Sequence, residues 1–387
     1  MTCIEISPQI TQRNECIRYD FLLSYPDNRD AVHVFYEVFG HSVDQPDHFD
    51  GILYALVFHA MGEGLDLKLA GSATVEALLN LKEFQLAWSR WLPSRYRPIN
   101  IEASHLVERS PAASNEAISA FSGGVDATFT LFNHAPSTSG LHRKLSACMV
   151  VQGFDIALGN QRDFDSVLQN AKRLHASQHL ETFWVRTNIK ELELQDWENS
   201  FAAQLASCLH LFSQRFSTGL LGSSEPYHAL VIPWGSNPIT DHLLSGSAMK
   251  IVHDGAGFSR TEKVDLLSRR SGATDTLRVC WEGAKQDRNC GKCEKCIRTK
   301  MNLLASGIEN PVCFDEPLDP ADIDKIHIGN AAILAELQSI LSFAEDNEIS
   351  GLWVEHLRRR VRSGIDGSSK GQVKDLRPGL VARLGEI

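Results

Sequence analysis

The chain has 387 residues, 43% of them hydrophobic and 22% charged, with a formal net charge of −10. That length is enough for a large core and two or three domains, and the acidic balance excludes a general polyanion-binding surface. No apolar run is long enough to span a bilayer, the start Met1-Thr2-Cys3-Ile4-Glu5 lacks the features of a secretory leader, and nine scattered cysteines fit a reducing compartment, so a cytoplasmic protein is expected.

Residues 1–112 read as an α+β accessory domain. Arg18–Ser24 and Ala31–Val38 predict strands joined by a Pro-Asp-Asn turn, Gly51–Met61 an apolar helix, and Asp66–Ala70 a short strand. Leu78, Leu81, Phe84, Trp88 and Trp91 recur at three- and four-residue steps, which predicts a helix over 74–92 with a wide apolar face. Trp at helical spacing is core before it is a base-stacking platform. The polar stretch Glu108-Arg109-Ser110-Pro111 marks the boundary, and no catalytic constellation precedes it.

Residues 113–310 carry the chemistry. The apolar run Ala117–Phe121 predicts a buried strand that delivers Ser122-Gly123-Gly124-Val125-Asp126 onto a helix, Ala127–His134, before a second strand, Ser146–Val151. Two glycines let successive N–H groups point at one spot, and the helix N-terminus adds partial positive charge, so the loop is an anion cradle of the kind nucleotide phosphates occupy. It is neither G-x-x-x-x-G-K-[ST] nor G-x-G-x-x-G. Gln152-Gly153-Phe154-Asp155 follows as a loop at the carboxyl end of the second strand. Further elements are a helix near Phe164–Ala176, a strand Thr182–Thr187, a long helix Asn199–Phe216, a strand Tyr227–Ile232 and a strand Lys250–Asp254. Ser259 then caps a helix, with Glu262 at the capping-box position. Such alternation implies an α/β fold with a doubly wound, mainly parallel sheet.

Cys280, Cys290, Cys293 and Cys296 form two overlapping C-x-x-C units with a fourth thiol upstream, on a turn-rich segment. Four thiolates suit a tetrahedral, structural Zn²⁺; an iron–sulfur cluster uses the same ligand set, and a redox dithiol would not need the other two cysteines. The tail, 311–387, predicts helix, with the basic cluster Arg358-Arg359-Arg360-Val361-Arg362 on a solvated face or partner contact, and ends in a loose polar segment from Gly367.

Ser122-Gly123-Gly124-Val125-Asp126 resembles the PP-loop of the ATP pyrophosphatase family, whose fold is that of the adenine nucleotide α-hydrolases. Joined to Cys-x₉-Cys-x₂-Cys-x₂-Cys, to Arg298 and to the helix start Arg260-Thr261-Glu262-Lys263, the pattern resembles the 7-cyano-7-deazaguanine synthase family over about half of the chain. The added N-terminal domain, the Gly-Phe-Asp loop and the Cys-Gly-x-Cys-x-Lys-Cys ending are most similar to long relatives in bacterial antiviral defence operons. The resemblance implies ATP, Mg²⁺, a structural zinc and a carboxylated 7-deazaguanine, in a carbon–nitrogen ligase that adenylates the carboxylate, releases pyrophosphate and presents the product to an amine. The amine is ammonia in the housekeeping enzyme; here it is ammonia or a protein amine, with an operon-encoded partner as one source, giving an amide or a nitrile. Membrane and nucleic acid are not expected partners, and an oligomer is compatible with the reading.

On that resemblance Ser122, Gly123, Gly124 and Val125 would hold the departing phosphates, Asp126 would orient a metal or the loop itself, and Arg260 and Lys263 would neutralise phosphate charge. Gln152, Gly153 and Asp155 would belong to the nucleotide site, with Asp155 contacting substrate or capping its own turn. Ala127 stands where the family motif has a serine, and Thr128 is the nearest replacement hydroxyl. Loss of one charge-assisted hydrogen bond is about 1.5–3 kcal/mol, so a nucleotide-binding module without turnover is an alternative. A tRNA-modifying PP-loop enzyme is another, although its thiol candidate Cys148 lies inside an apolar strand.

Overall fold

Side chains that alternate between buried and exposed define the first strands. Ile4 and Ile6 point inward from β1 (Cys3–Gln12), Tyr19, Phe21 and Leu23 from β2 (Cys16–Ser24), and Val34, Tyr36 and Val38 from β3 (Val32–Phe39). The coordinates are a computed structural model that describes residues 3–366 except 14, 28, 41–44, 109–113, 137–139 and 281. After β3 come α1 (Asp50–Glu63), β4 (Asp66–Thr74), α2 (Val75–Trp91) and β5 (Ile101–Val107). Helix α1 is apolar on all sides and is buried from Asp50 to Met61, as a helix packed between layers must be. Trp88 on α2 is fully buried against Phe58 and Tyr96, which makes it core, while Trp91 is half-buried beside it.

The second half continues with β6 (Ala117–Ala120), α3 (Val125–His134), β7 (Leu145–Gln152), α4 (Gln161–Ser177), β8 (Glu181–Thr187), α5 (Trp197–His210), β9 (Thr218–Gly222), β10 (Lys250–Asp254), α6 (Arg260–Ser268) and α7 (Glu294–Ala305). All ten strands lie in one sheet, in the order β10-β9-β6-β7-β8-β3-β2-β1-β4-β5. Pairing is parallel from β10 to β8 and from β1 to β5, and antiparallel only across β8–β3–β2–β1. The fold is therefore α/β with a large, mostly parallel sheet. One core cluster joins α1, α2 and α5 to the strands, and a second joins α3, α4, α6 and α7 to the opposite face of β6–β9.

The first cluster ignores the boundary expected near residue 112: Ile4, Tyr36 and Phe58 share it with Phe183, Leu209 and Ile251. Residues 1–318 form one compact unit, and a second begins at Asp319. The linker Arg109–Pro111 itself lies outside the described residues.

Three strands were not expected, and one expected strand is absent. Tyr227–Ile232 is not a strand; Tyr227–Ala229 is a single 3₁₀ turn, and the Val231 N–H donates to Glu225 Oε2 (2.8 Å) instead of a ladder. The strand at that place in the order is β9, whose sequence Thr-Gly-Leu-Leu-Gly hides behind two glycines. Strand β1 carries Pro8, which reads as a break. Its parallel ladder with β4 ends at Ile6–Leu69, where β4 bulges, so the missing proline N–H is not needed. The long helix expected to Phe216 ends at His210 and gives way to turns.

Within the second unit, α8 (Pro320–Ile323), α9 (Ala331–Asp346) and α10 (Leu352–Ser363) confirm a helical C-terminal region. Three arginines of its basic cluster pair internally: Arg358 with Glu345, Arg359 with Asp324, and buried Arg360 with Asp366. The polar segment from Gly367 lies outside the described residues.

Candidate functional site

Taken in chain order, the five parallel strands of the second half run 5-4-1-2-3 across the sheet, so the order reverses between β6 and β9. At such a reversal, beyond the carboxyl ends of the strands, α/β sheets take their ligands. The loop Ser122–Gly124 leaves β6 at this point. Gly123 has φ +81°, in the left-handed region, and Gly124 is the N-cap of α3. The Ser122 hydroxyl accepts the Gly124 N–H (3.2 Å), and no side chain among the described residues caps α3. The first N–H groups of the helix therefore face outward with their partial positive charge.

Cations converge on the same spot. Lys263 is wholly buried, and its Nζ donates to Asp126 Oδ1 (3.0 Å), to Ser223 Oγ (3.0 Å) and to the Ser223 carbonyl. Arg260 Nη2 donates to Asp126 Oδ2 (2.8 Å). Both belong to the first turn or two of α6, whose start is fixed by the expected Ser259–Glu262 capping box. Burial alone would raise the Asp126 carboxyl, but the two cations outweigh it and hold the group at about 2. Both carboxylate oxygens are committed to these cations. Gly222, at the end of β9, lets the strand press against the loop; a Cβ there would lie 2.8 Å from the Asp126 carbonyl oxygen.

Arg278 is a member of the site that sequence reasoning missed. Its backbone N–H donates to the Gly123 carbonyl (2.8 Å), and its guanidinium donates to the Ser122 carbonyl and to Asp155 (both 3.3 Å) and to the Gln286 carbonyl (3.2 Å). It ties the loop after β6, the loop after β7 and the cysteine segment together; an isolated arginine two residues before Cys280 gave no local signal. Asp155 is thus brought to the site. Gln152 is not presented to it: its amide is buried and spent on Arg186, Gln161 and the Leu158 carbonyl, and Gly153 N–H closes the turn on the Ile156 carbonyl. Ala127 is partly exposed on the first turn of α3, whereas the Thr128 side chain is buried.

Two more cations come from α7. Burial and then repulsion from Arg260 push Lys295 down to about 8 and Arg298, which pairs with Glu294, down to about 10. Arg260, Lys263, Arg278, Lys295 and Arg298 make an electropositive surround for an uncapped helix start. Such an arrangement binds anions and, in a water-poor crevice, stabilises charge developing on them.

The α7 helix is carried into place by the cysteines. All four sulfurs lie within 4.8 Å of one another, with Cys290 Sγ 3.8 Å from Cys296 Sγ and Cys293 Sγ 3.6 Å from Cys280 Sγ. A regular tetrahedron with Zn–S bonds of 2.3 Å has edges of about 3.8 Å. The set can therefore hold a metal ion, and with four protein ligands it has no open position. Among the described residues no other cluster of metal-binding side chains occurs, and no helix is long and apolar enough to cross a membrane.

Comparison with known protein families, with characterised proteins and with solved structures finds no match for this chain.

Proposed function

We propose that the chain is an ATP-dependent carbon–nitrogen ligase of the PP-loop kind. It adenylates the carboxylate of a 7-carboxy-7-deazaguanine-like acid and passes the acyl group to an amine, ammonia or a protein amine, within a bacterial antiviral defence system. The observation that carries this reading is the uncapped, glycine-opened start of α3 facing five cations at the sheet's switch point. A carboxylate is a poor electrophile because its leaving group would be oxide, and adenylation supplies a better one. In that step a carboxylate oxygen attacks the α-phosphorus and pyrophosphate departs. The N–H groups of Gly123 and Val125, with Arg260, would take the charge on the leaving pyrophosphate, while buried Lys263, its protons spent on Asp126 and Ser223, would add only its field. Asp126 holds those two cations in place, one on each of its oxygens. The donor set does not build a protein-ligated Mg²⁺ site; Mg²⁺ would arrive on the phosphates. The four cysteines fit Zn²⁺, which would fix the segment that bears Arg278, Lys295 and Arg298.

A second reading is favoured by one specific observation. Ala127 offers no hydroxyl, and buried Thr128 does not replace it, which supports a module that binds nucleotide without turnover. A thiol-based tRNA-modifying reaction draws no support from Cys148, which is wholly buried with its thiol pushed far up by desolvation. The deciding experiment is release of AMP and pyrophosphate from ATP–Mg²⁺ by zinc-replete protein, with and without 7-carboxy-7-deazaguanine. Acid-dependent AMP is the expected result; nucleotide binding without AMP would leave the binding module.

A further inference from the structure

The carboxyl end of β10, next to β9 at the switch point, carries a second polar constellation. Strand β10 alternates at its carboxyl end. Asp254 points toward α3, where Thr130 Oγ1 (2.9 Å) and His134 Nε2 (2.8 Å) meet it, so His253 points to the other face. There His253 Nδ1 lies 2.8 Å from Asp241 Oδ2, while its Nε2 is buried and has no hydrogen-bond partner among the described residues. The His253 side chain is 6% exposed and that of Asp241 1%.

Asp241 is held as a template would be. It accepts the Ser236 hydroxyl (2.6 Å) and the Asn237 N–H (3.0 Å), and Asn237 Oδ1 in turn accepts the N–H groups of Ile239 and Thr240 (3.0 Å each). A carboxylate accepting from Nδ1–H selects the tautomer whose Nε2 carries the lone pair. An imidazole so oriented, with a bare basic nitrogen, is costly as pure structure, because the buried acceptor forgoes a hydrogen bond. Trp234 Nε1, on the same loop, is likewise buried without a partner among the described residues.

The pair also sits beside the cation cluster. His253 is in register with Leu221 and Asp254 with Gly222 on β9, and the Asp254 carbonyl accepts the N–H of Ser223, whose hydroxyl and carbonyl hold Lys263. The two polar groups thus share the carboxyl ends of β9 and β10, on opposite faces of the sheet.

We propose that His253, oriented by Asp241, is the general base of the amine-transfer half-reaction. This rests on the adenylation reading above. The amine nitrogen forms a bond to the acyl carbon, the bond from that carbon to the adenylate oxygen breaks, and AMP leaves with the electron pair. The proton lost by the nitrogen goes to His253 Nε2. The step needs no further co-reactant.

The test separates the two half-reactions in the full-length protein, with ATP–Mg²⁺ and 7-carboxy-7-deazaguanine. Exchange of labelled pyrophosphate into ATP reports adenylation. Hydroxamate formation with hydroxylamine, an α-nucleophile reactive enough to trap an acyl adenylate without a proton acceptor on the protein, reports transfer that needs no protein base. Product formed from ammonium chloride reports transfer that does. His253→Asn keeps a donor toward Asp241 and removes Nε2, while Asp241→Asn favours the wrong tautomer. For both, ammonia-dependent product is expected to fall about 100-fold or more, with exchange and hydroxamate within about threefold of the unsubstituted protein. Unchanged ammonia-dependent product overturns the proposal. So does a parallel fall of all three activities at an unchanged melting temperature, which would assign the pair to adenylation or scaffolding. Absence of exchange in the unsubstituted protein removes the adenylation reading and this inference with it, a pattern distinct from the other two.

Discussion

Replacing Asp126 by asparagine removes one charge from between Arg260 and Lys263 and changes little else in shape. The carboxyl sits at about 2, against 3.8 for an unperturbed aspartate, and its side chain is only 19% exposed, so solvent screens it little. At about 1.36 kcal/mol per pH unit the charge contributes about 2–3 kcal/mol at neutral pH. The loss rises toward about 4 kcal/mol if Lys263 stays charged and buried without its counter-ion. Over the 318 residues of the first unit, about 2.1 cal/mol/K per residue converts about 2–3 kcal/mol into a melting shift of about 3–5 °C. Because the folded carboxyl is depressed, this stability is present above the unfolded value of 3.8 and disappears as the pH falls through 2. Melting of Asp126→Asn beside the unsubstituted chain should therefore show a gap at pH 7 that closes on acidification. A gap below 1 °C at pH 7, or one that stays constant down to pH 3, would refute the claim that this carboxylate clamps the two cations through its charge.

Three further outcomes are expected. Elemental analysis should find one zinc per chain, lost on Cys290→Ser together with a lowered melting temperature; visible absorbance and iron would instead indicate a cluster. Ala127→Ser restores a hydroxyl on the partly exposed first turn of α3 and should raise acid-dependent AMP release about tenfold or more, whereas an unchanged rate would show that the hydroxyl is not limiting. Gly222→Ala places a methyl 2.8 Å from the Asp126 carbonyl and should cost about 1–3 kcal/mol in chemical denaturation while weakening ATP binding; wild-type values in both would mean that β9 does not set the loop's position.

The loop, its strand and its helix were legible because their signals are local: a short apolar run, two glycines and a helix that follows within a few residues. The Ser259–Glu262 capping box and the four cysteines were legible for the same reason. Strands β1 and β9 were not, since Pro8 looks like a breaker until the ladder shows where no N–H is needed, and the glycines at 219 and 222 until the close packing against them is seen. The apolar run Tyr227–Ile232 misled because apolarity without period does not separate a strand from a covered loop. Arg278, Ser223 and the Asp241–His253 pair act through partners far away in sequence, and a single chain carries no trace of such meetings. The continuity of the sheet from the first strand to the last is of this kind too.

That continuity governs how the chain must be made. Tyr36 on β3 pairs with Thr187 on β8, 151 residues later, and α1 packs on α5. A ribosome extending this chain releases β1, β2 and β3 long before β8 exists, leaving the inward rows of Val34, Tyr36 and Val38 and an unpaired strand edge waiting. Contacts of such separation form late and expose the nascent chain to mispairing. The first 107 residues are thus a half-built sheet awaiting its other half, and freeing them by truncation should yield an aggregating fragment instead of a portable module.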